Sequence, residues 1–183
     1  MNNSKIAGFS LIEILVTIVI LMVGLLGLAG LQGFALTSQL ESYQRSQALV
    51  LLKDMEDRLN ANRTDAASYI GTLGGTGNAC PAAGSTLASK DLSQWCNSLM
   101  GAAETASGVS NAGAMIGARG CITQTVPPAS GVAAQYVVAV AWQGLAATAT
   151  PGIACGANQY GSNDAMRRVV AVPVNIADVS TLN

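Results

Sequence analysis

Two sets of residues in this 183-residue chain are placed to do chemistry: four cysteines, Cys80, Cys96, Cys121 and Cys155, and one carboxylate, Glu13, at the front edge of an apolar run. The cysteines show no C-x-x-C spacing and the sequence has no histidine, so a structural zinc site is not expected. An even number of widely spaced cysteines behind a membrane-insertion signal reads as disulfides formed in an oxidising compartment. Three connectivities are open, and Cys80–Cys96 with Cys121–Cys155 is favoured because sequential pairing closes local loops. Such loops contribute about 3 kcal/mol or somewhat more each in the chain-entropy account. A histidine base, a G-x-S-x-G nucleophile turn and a phosphate-cradling glycine loop are all missing, which argues against an enzyme. No catalytic, cofactor-binding or metal residues are expected.

Glu13 stands before Ile14–Leu31, eighteen residues without a charge. As a helix this run is about 27 Å long, close to the ~30 Å hydrocarbon thickness of a bilayer. An ordinary secretory signal is cut after its apolar core at small residues. The nearest match here, Gly33-Phe34-Ala35, is weak, and the helical pattern runs through it. A cut before the run, between Gly8 and Phe9, would leave the apolar helix on the mature chain. Ser10-x-x-Glu13 has the form of a capping box, and a carboxylate there opposes the positive end of the helix dipole. Surrounded by lipid or other helices, an ionised carboxylate costs on the order of several kcal/mol unless paired. Cleavage after Gly8 creates a partner, the free amine of Phe9 on a neighbouring subunit, so an assembly role is favoured over a cap alone.

Gly8-Phe9-Ser10-Leu11-Ile12-Glu13 and the helix that follows resemble the processing site of type IV prepilins and pseudopilins, the class III signal peptides. The resemblance implies a prepilin peptidase that cuts after Gly8 and methylates the new amino-terminal Phe9, and it implies that Glu13 directs subunit assembly. It also implies the α+β type IV pilin fold, in which a long N-terminal helix, transmembrane in its first half, packs on a small antiparallel sheet head with disulfides.

The elements that must position these residues are legible in outline. Residues 1–8 read as a leader and 9–62 as one helix of about 53 residues, roughly 80 Å. Its portion 9–33 is the transmembrane or filament-core segment, and 34–62 is amphipathic and packed on the head. Leu40 and Tyr43, then Ala48, Leu51, Leu52, Met55 and Leu59, supply the apolar side, while Lys53, Asp54, Glu56, Asp57 and Arg58 read as a solvated face. Gly24, Gly27, Gly30 and Gly33 permit either close helix–helix contact or a segment that softens on assembly, and both readings stay open.

Residues 63–183 form the head, rich in small side chains. Its aromatics are only Tyr69, Trp95, Tyr136, Trp142 and Tyr160, a thin core that needs outside support. A surface connection is expected from Asn62 to Lys90, and a short helix from Asp91 to Met100 with Asp91 near its start. Trp95 is expected to pack over a disulfide. Three strands, Cys121–Val126, Tyr136–Trp142 and Arg168–Val172, make an antiparallel meander, with Pro173 at the end of an edge strand. The long loop from Gln143 to Asp164 would be tied back through Cys155.

Nine cations against ten anions give a net charge of −1, or −2 once Lys5 leaves with the leader, and no basic stripe indicates nucleic acid. The segment Gly24 to Gln32, Cys121, Val140-Ala141-Trp142-Gln143-Gly144, Cys155 and Arg167-Arg168-Val169-Val170 are similar to minor pilins of the PilV type, the type IV pilus modification proteins. Arg167 and Arg168 mark either a charged strand entrance or a subunit contact.

The resemblance implies a structural subunit of the tip or priming complex that promotes pilus assembly and helps display a tip adhesin. Its partners would be the peptidase, other minor pilins and the major pilin through the N-terminal helix, and the adhesin. The chain would sit in the inner membrane, head in the periplasm, and then in the extracellular pilus, at its tip. A minor pseudopilin of type II secretion shares the leader and helix. A membrane-anchored periplasmic binding module would explain the helix without Gly8, Phe9 or Glu13.

Overall fold

The structure is a computed structural model and describes residues 8–75, 79–102, 113, 115–129 and 132–177. The expected leader, apart from Gly8, and residues 76–78 of the expected connection lie outside the described residues. In chain order come helix α1 (Leu11–Ala61), a 3-10 turn (Arg63–Tyr69), β1 (Gly71–Gly74), α2 (Leu87–Leu99), β2 (Ile116–Val126), β3 (Ala134–Gln143), a second 3-10 turn (Ser162–Asp164) and β4 (Arg167–Ile176). The chain divides into two compact units, Met1–Leu40 and Glu41–Asn183, which are described separately.

In the first unit every residue from Gly8 to Leu40 is exposed. α1 contains an 18-residue window of mean hydropathy 2.8, long and apolar enough to cross a membrane by length and composition. The hydroxyls of Thr17 and Thr37 donate to the carbonyls of Ile14 (2.8 Å) and Gly33 (3.1 Å), so neither needs water.

The second unit is a four-stranded antiparallel sheet in the order β1-β2-β3-β4. One face carries Ala118, Ile122, Tyr136, Val138, Val140, Trp142 and Val174. It forms a core with Ala48, Leu52, Met55 and Leu59 of α1 and with Trp95 and Leu99 of α2. The other face, with Cys121, Ala139 and Ala141, is covered by Cys155 and Tyr160 from the connection between β3 and β4. Cover on both faces is why Val138 to Trp142 reads as an unbroken apolar run rather than an alternation. Cys80 is joined to Cys96, fixing the segment before α2 to that helix, and Cys121 to Cys155, fixing the long connection to β2.

Several expectations need correction. The region from Asn62 to Lys90 is not only a surface connection. Tyr69 is fully buried, and Gly71-Thr72-Leu73-Gly74 adds a fourth strand, paired with Arg119–Ile122 of β2. Backbone pairing needs no side-chain pattern, so this glycine-rich strand left no alternation to read. α2 begins four residues before Asp91, because Thr86 caps it by accepting from Ser89 N–H at 3.1 Å. Pro173 lies inside β4, opposite Val137, not at its end; β4 is an edge strand, so a residue without an N–H fits there. Leu40 and Tyr43 are exposed while Gln44 is buried, which turns the start of the apolar stripe by one residue.

Trp95 was expected over a disulfide. Its fully buried ring instead lies on Gly120 of β2, and its indole N–H donates to Leu51 O of α1 at 2.8 Å. A Cβ at Gly120 would overlap that ring. Gly120→Ala is therefore expected to lower stability by about 1–3 kcal/mol through overpacking. The check is denaturant unfolding of the full chain in detergent, followed by the fluorescence of Trp95 and Trp142, both buried in the head. Loss of the Cys121–Cys155 pair to serine should cost about 4 kcal/mol in the same assay, and loss of Cys80–Cys96 about 3, because the first closes the longer loop.

Candidate functional site

α1 begins directly after the expected processing residues. Glu13 and Ile14 donate their N–H groups to Ser10 O at 3.1 and 3.3 Å, closing the first turn. The bonds recorded at this turn run to the Ser10 carbonyl, and the reciprocal side-chain pair of a capping box is not among those of the described residues. Gly8, Phe9 and Ser10 precede the helix and are exposed, Phe9 at 81%. The Gly8–Phe9 peptide bond therefore lies on an open, non-helical stretch within reach of an outside enzyme. A Cβ at Gly8 would meet nothing within 4 Å, so the chain's own fold sets no demand for glycine there. The same holds for Gly24, Gly27, Gly30 and Gly33. Glu13 is likewise exposed and takes part in no ion pair among the described residues, which leaves its carboxylate available to a partner.

The head places its arginines differently from the sequence reading. Arg167 is the first residue of β4, at the strand entrance that one of the two readings gave it, but it is 3% exposed and so is not a surface contact for another subunit. Its guanidinium donates to the carbonyls of Pro151 (2.9 Å), Cys155 (2.9 Å) and Ile153, and its Nε faces Asp164 Oδ2 at 3.1 Å, off the line of a straight hydrogen bond. Asp164 in turn accepts from the N–H groups of Asn158 (2.7 Å) and Tyr160 (3.4 Å). Those bonds, with the charge of Arg167, hold its carboxyl below the usual aspartate range despite the opposing effect of burial. Tyr160 donates to Gly117 O (2.8 Å), at a bulge in β2, and its burial pushes its phenol up to about 12.

Arg168 grips Glu41 of α1 with Nε and Nη2, at 3.1 and 3.0 Å, while Glu41 also accepts from Leu145 and Ala146 N–H at 2.8 and 3.2 Å. Burial opposes the Glu41 charge, yet Arg168 and the two backbone donors prevail and its pKa lies below the ordinary glutamate value. Arg58, expected on the solvated face, bridges Asp54 (3.1 Å) on α1 to Asp91 (2.7 Å) and Gln94 (2.9 Å) on α2. Tyr69 donates to Asp91 at 2.5 Å, and burial followed by that carboxylate raises its phenol to about 12. Lys53 pairs with Glu56 and with Asp57 at the surface, as the sequence reading has them. Glu41 was missed because a single glutamate among polar helix residues carries no sign of its partner 127 positions away.

The signs of these shifts give a pH profile. Glu41 and Asp164 have depressed values, so they contribute stability that is complete above the ordinary carboxylate range and is lost as pH falls through their lowered native values. Tyr69 and Tyr160 have raised values, so theirs is complete below about pH 10 and is lost as pH rises toward 12. The thermal midpoint of the full chain in detergent is expected to fall at both ends, and Glu41→Gln to flatten the acid limb.

Comparison with known proteins gives two partial matches. Residues 3–29 match the prokaryotic N-terminal methylation motif, and residues 30–96 match the Tt1218-like family, described as type IV pilin Tt1218. No curated protein and no solved structure matches the chain significantly. The α+β architecture, with its long N-terminal helix, four-stranded antiparallel sheet and two disulfides, is consistent with the type IV pilin fold. The segment bearing Gly8, Phe9 and Glu13 is thus similar to the N-terminal methylation motif, and the segment after it to a type IV pilin.

Proposed function

We propose that the chain is a minor pilin of a type IV pilus, a structural subunit rather than an enzyme. The observation that carries this reading is the junction at Gly8–Phe9: an exposed, non-helical bond directly before a helix whose apolar side chains the chain leaves uncovered. A prepilin peptidase cuts after Gly8 and methylates Phe9. The precursor, anchored in the inner membrane by 9–33 with residues 63–183 in the periplasm, then enters the filament. Glu13 recruits the free amine of Phe9 on a neighbouring subunit, because a carboxylate moved among apolar helices needs an opposite charge. In the filament the helices bundle with those of other minor pilins and of the major pilin. Similarity to the PilV type supports a place in the tip or priming complex, where the heads help to display an adhesin.

Mass spectrometry of filaments sheared from the native cell is the test. A peptide starting at methylated Phe9, at low ratio to another pilin, is the expected result. Retention of processed chain in the membrane fraction would favour a type II secretion pseudopilin. A start at Met1 or near Leu36 would overturn the pilin reading and leave an anchored or secreted periplasmic protein. Gly8→Val is expected to block processing, and Glu13→Leu to leave processing intact while incorporation falls at least tenfold. Neither should change the stability of the head.

A further inference from the structure

β4 has only β3 beside it, so half of its backbone groups face away from the sheet. One hydrogen bond decides which half. Gly144 N–H donates to Met166 O at 2.7 Å, which makes the opposed residues Gln143 and Arg167 a non-hydrogen-bonded pair of the antiparallel ladder. The register continues from there without a shift. Alternation therefore turns Arg168, Val170 and Val172 toward β3 and Val169, Ala171 and Pro173 outward. Pro173, which has no N–H to give, stands at an outward position, where it costs the ladder nothing. Among the described residues no hydrogen bond reaches the outward N–H and C=O of Val169 and Ala171.

The rest of the chain is badly placed to cover this run. Even a two-residue turn directly after Ile176 would bring Asn183 only opposite Val172, so residues 178–183 cannot pair back with Val169–Ala171. A parallel return would need a crossover of a dozen residues or more. Residues 103–112 are attached at the far edge. A Cβ at Gly113 would fall 2.9 Å from Gly101 Cα, and Met100 lies beside Gly74 of β1. Residues 76–78 follow β1 itself, and 130–131 are closed off by the bridge between Ala129 and Val132. Beside the run, Val170 and Val172 are half-buried at the margin of the main core, and Val169 and Ala171 at the margin of the smaller cluster. Arg168 is already matched by Glu41.

We propose that the outer edge of β4, from Val169 to Ala171, receives an extended segment of a different protein chain as a fifth strand. A row of alternating backbone donors and acceptors is complementary to another extended backbone. Pro173 stops the pairing at one end, so the docked run is short. The segment that fits is uncharged, with small or β-branched apolar side chains alternating over the two exposed margins. A second copy does not fit. Antiparallel pairing of two β4 edges puts the two-fold axis normal to the sheet, and α1 residues 48–59, packed on the sheet face, would then run in opposite directions. Copies anchored in one membrane point the same way, so this exclusion rests on the anchored reading above.

The test begins with amide hydrogen exchange of the full, leader-free chain in non-ionic detergent. Val169 and Ala171 are expected to exchange at least about tenfold faster than Val170 and Val172. Equal protection of all four would overturn the proposal, since the edge would then be covered by the chain itself. A photoreactive residue at position 175, exposed on the same strand, is next crosslinked in the cell that makes the protein. The expected adduct lies in another protein, and its mapped segment, made as a peptide, slows exchange at Val169 and Ala171 about tenfold. Ala171→Pro removes one outward N–H that bonds nothing in this chain, so it is expected to keep the head folded and to abolish both the adduct and the peptide's effect. Val169→Pro replaces it if that variant does not fold. No adduct, an adduct within this chain or to its copy, or a peptide effect that survives the proline, would sink the proposal. Each of these outcomes leaves the mass-spectrometric test of processing at Phe9 unaffected.

Discussion

The head depends on one indole. Trp95 is fully buried, packs against the bare backbone of Gly120, and gives its N–H to the Leu51 carbonyl in the C-terminal part of α1. Three elements meet there: a helix, a second helix and the sheet. In a domain with few large side chains, an aromatic ring supplies more buried area than any aliphatic residue, and its single polar atom needs a partner in the interior. The glycine makes the close approach possible, and the disulfide at the neighbouring Cys96 fixes the helix that carries the ring.

Charge supplies the remaining ties between elements. Arg58 joins α1 to α2, Arg168 joins β4 to α1, and Arg167 gathers three carbonyls of the connection between β3 and β4. A guanidinium suits this work because its donors are rigidly spread and its charge survives any ordinary pH. The chain therefore uses arginine inside the head as a connector where a larger domain would use more apolar area.

What could be read from the residues follows from the physics each element relies on. α1 was legible because its apolar spacing and lack of proline are local properties, and β3 and β4 because β-branched runs between turn residues are local too. β1 was not, since its four residues enter the sheet through backbone bonds that glycine and threonine do not advertise. The partners of Arg167 and Arg168 were not legible, because they lie in loops and on a distant helix. Gly8, Phe9 and Glu13 stood out for the opposite reason: they form part of a short motif, matched over residues 3–29, and they are exposed in the fold.

The two disulfides have a mechanical meaning beyond stability. The sequence separations they span are 16 and 34 residues, lengths that would otherwise contribute about 55 and 115 Å of extended chain. The second loop runs from the middle of β2, through β3, to the connection before β4. A load applied along the backbone would pass through the sulfur bridges and bypass both loops. The middle of the sheet is then inextensible even where its hydrogen bonds have given way, and only the chain outside the loops can pay out under tension.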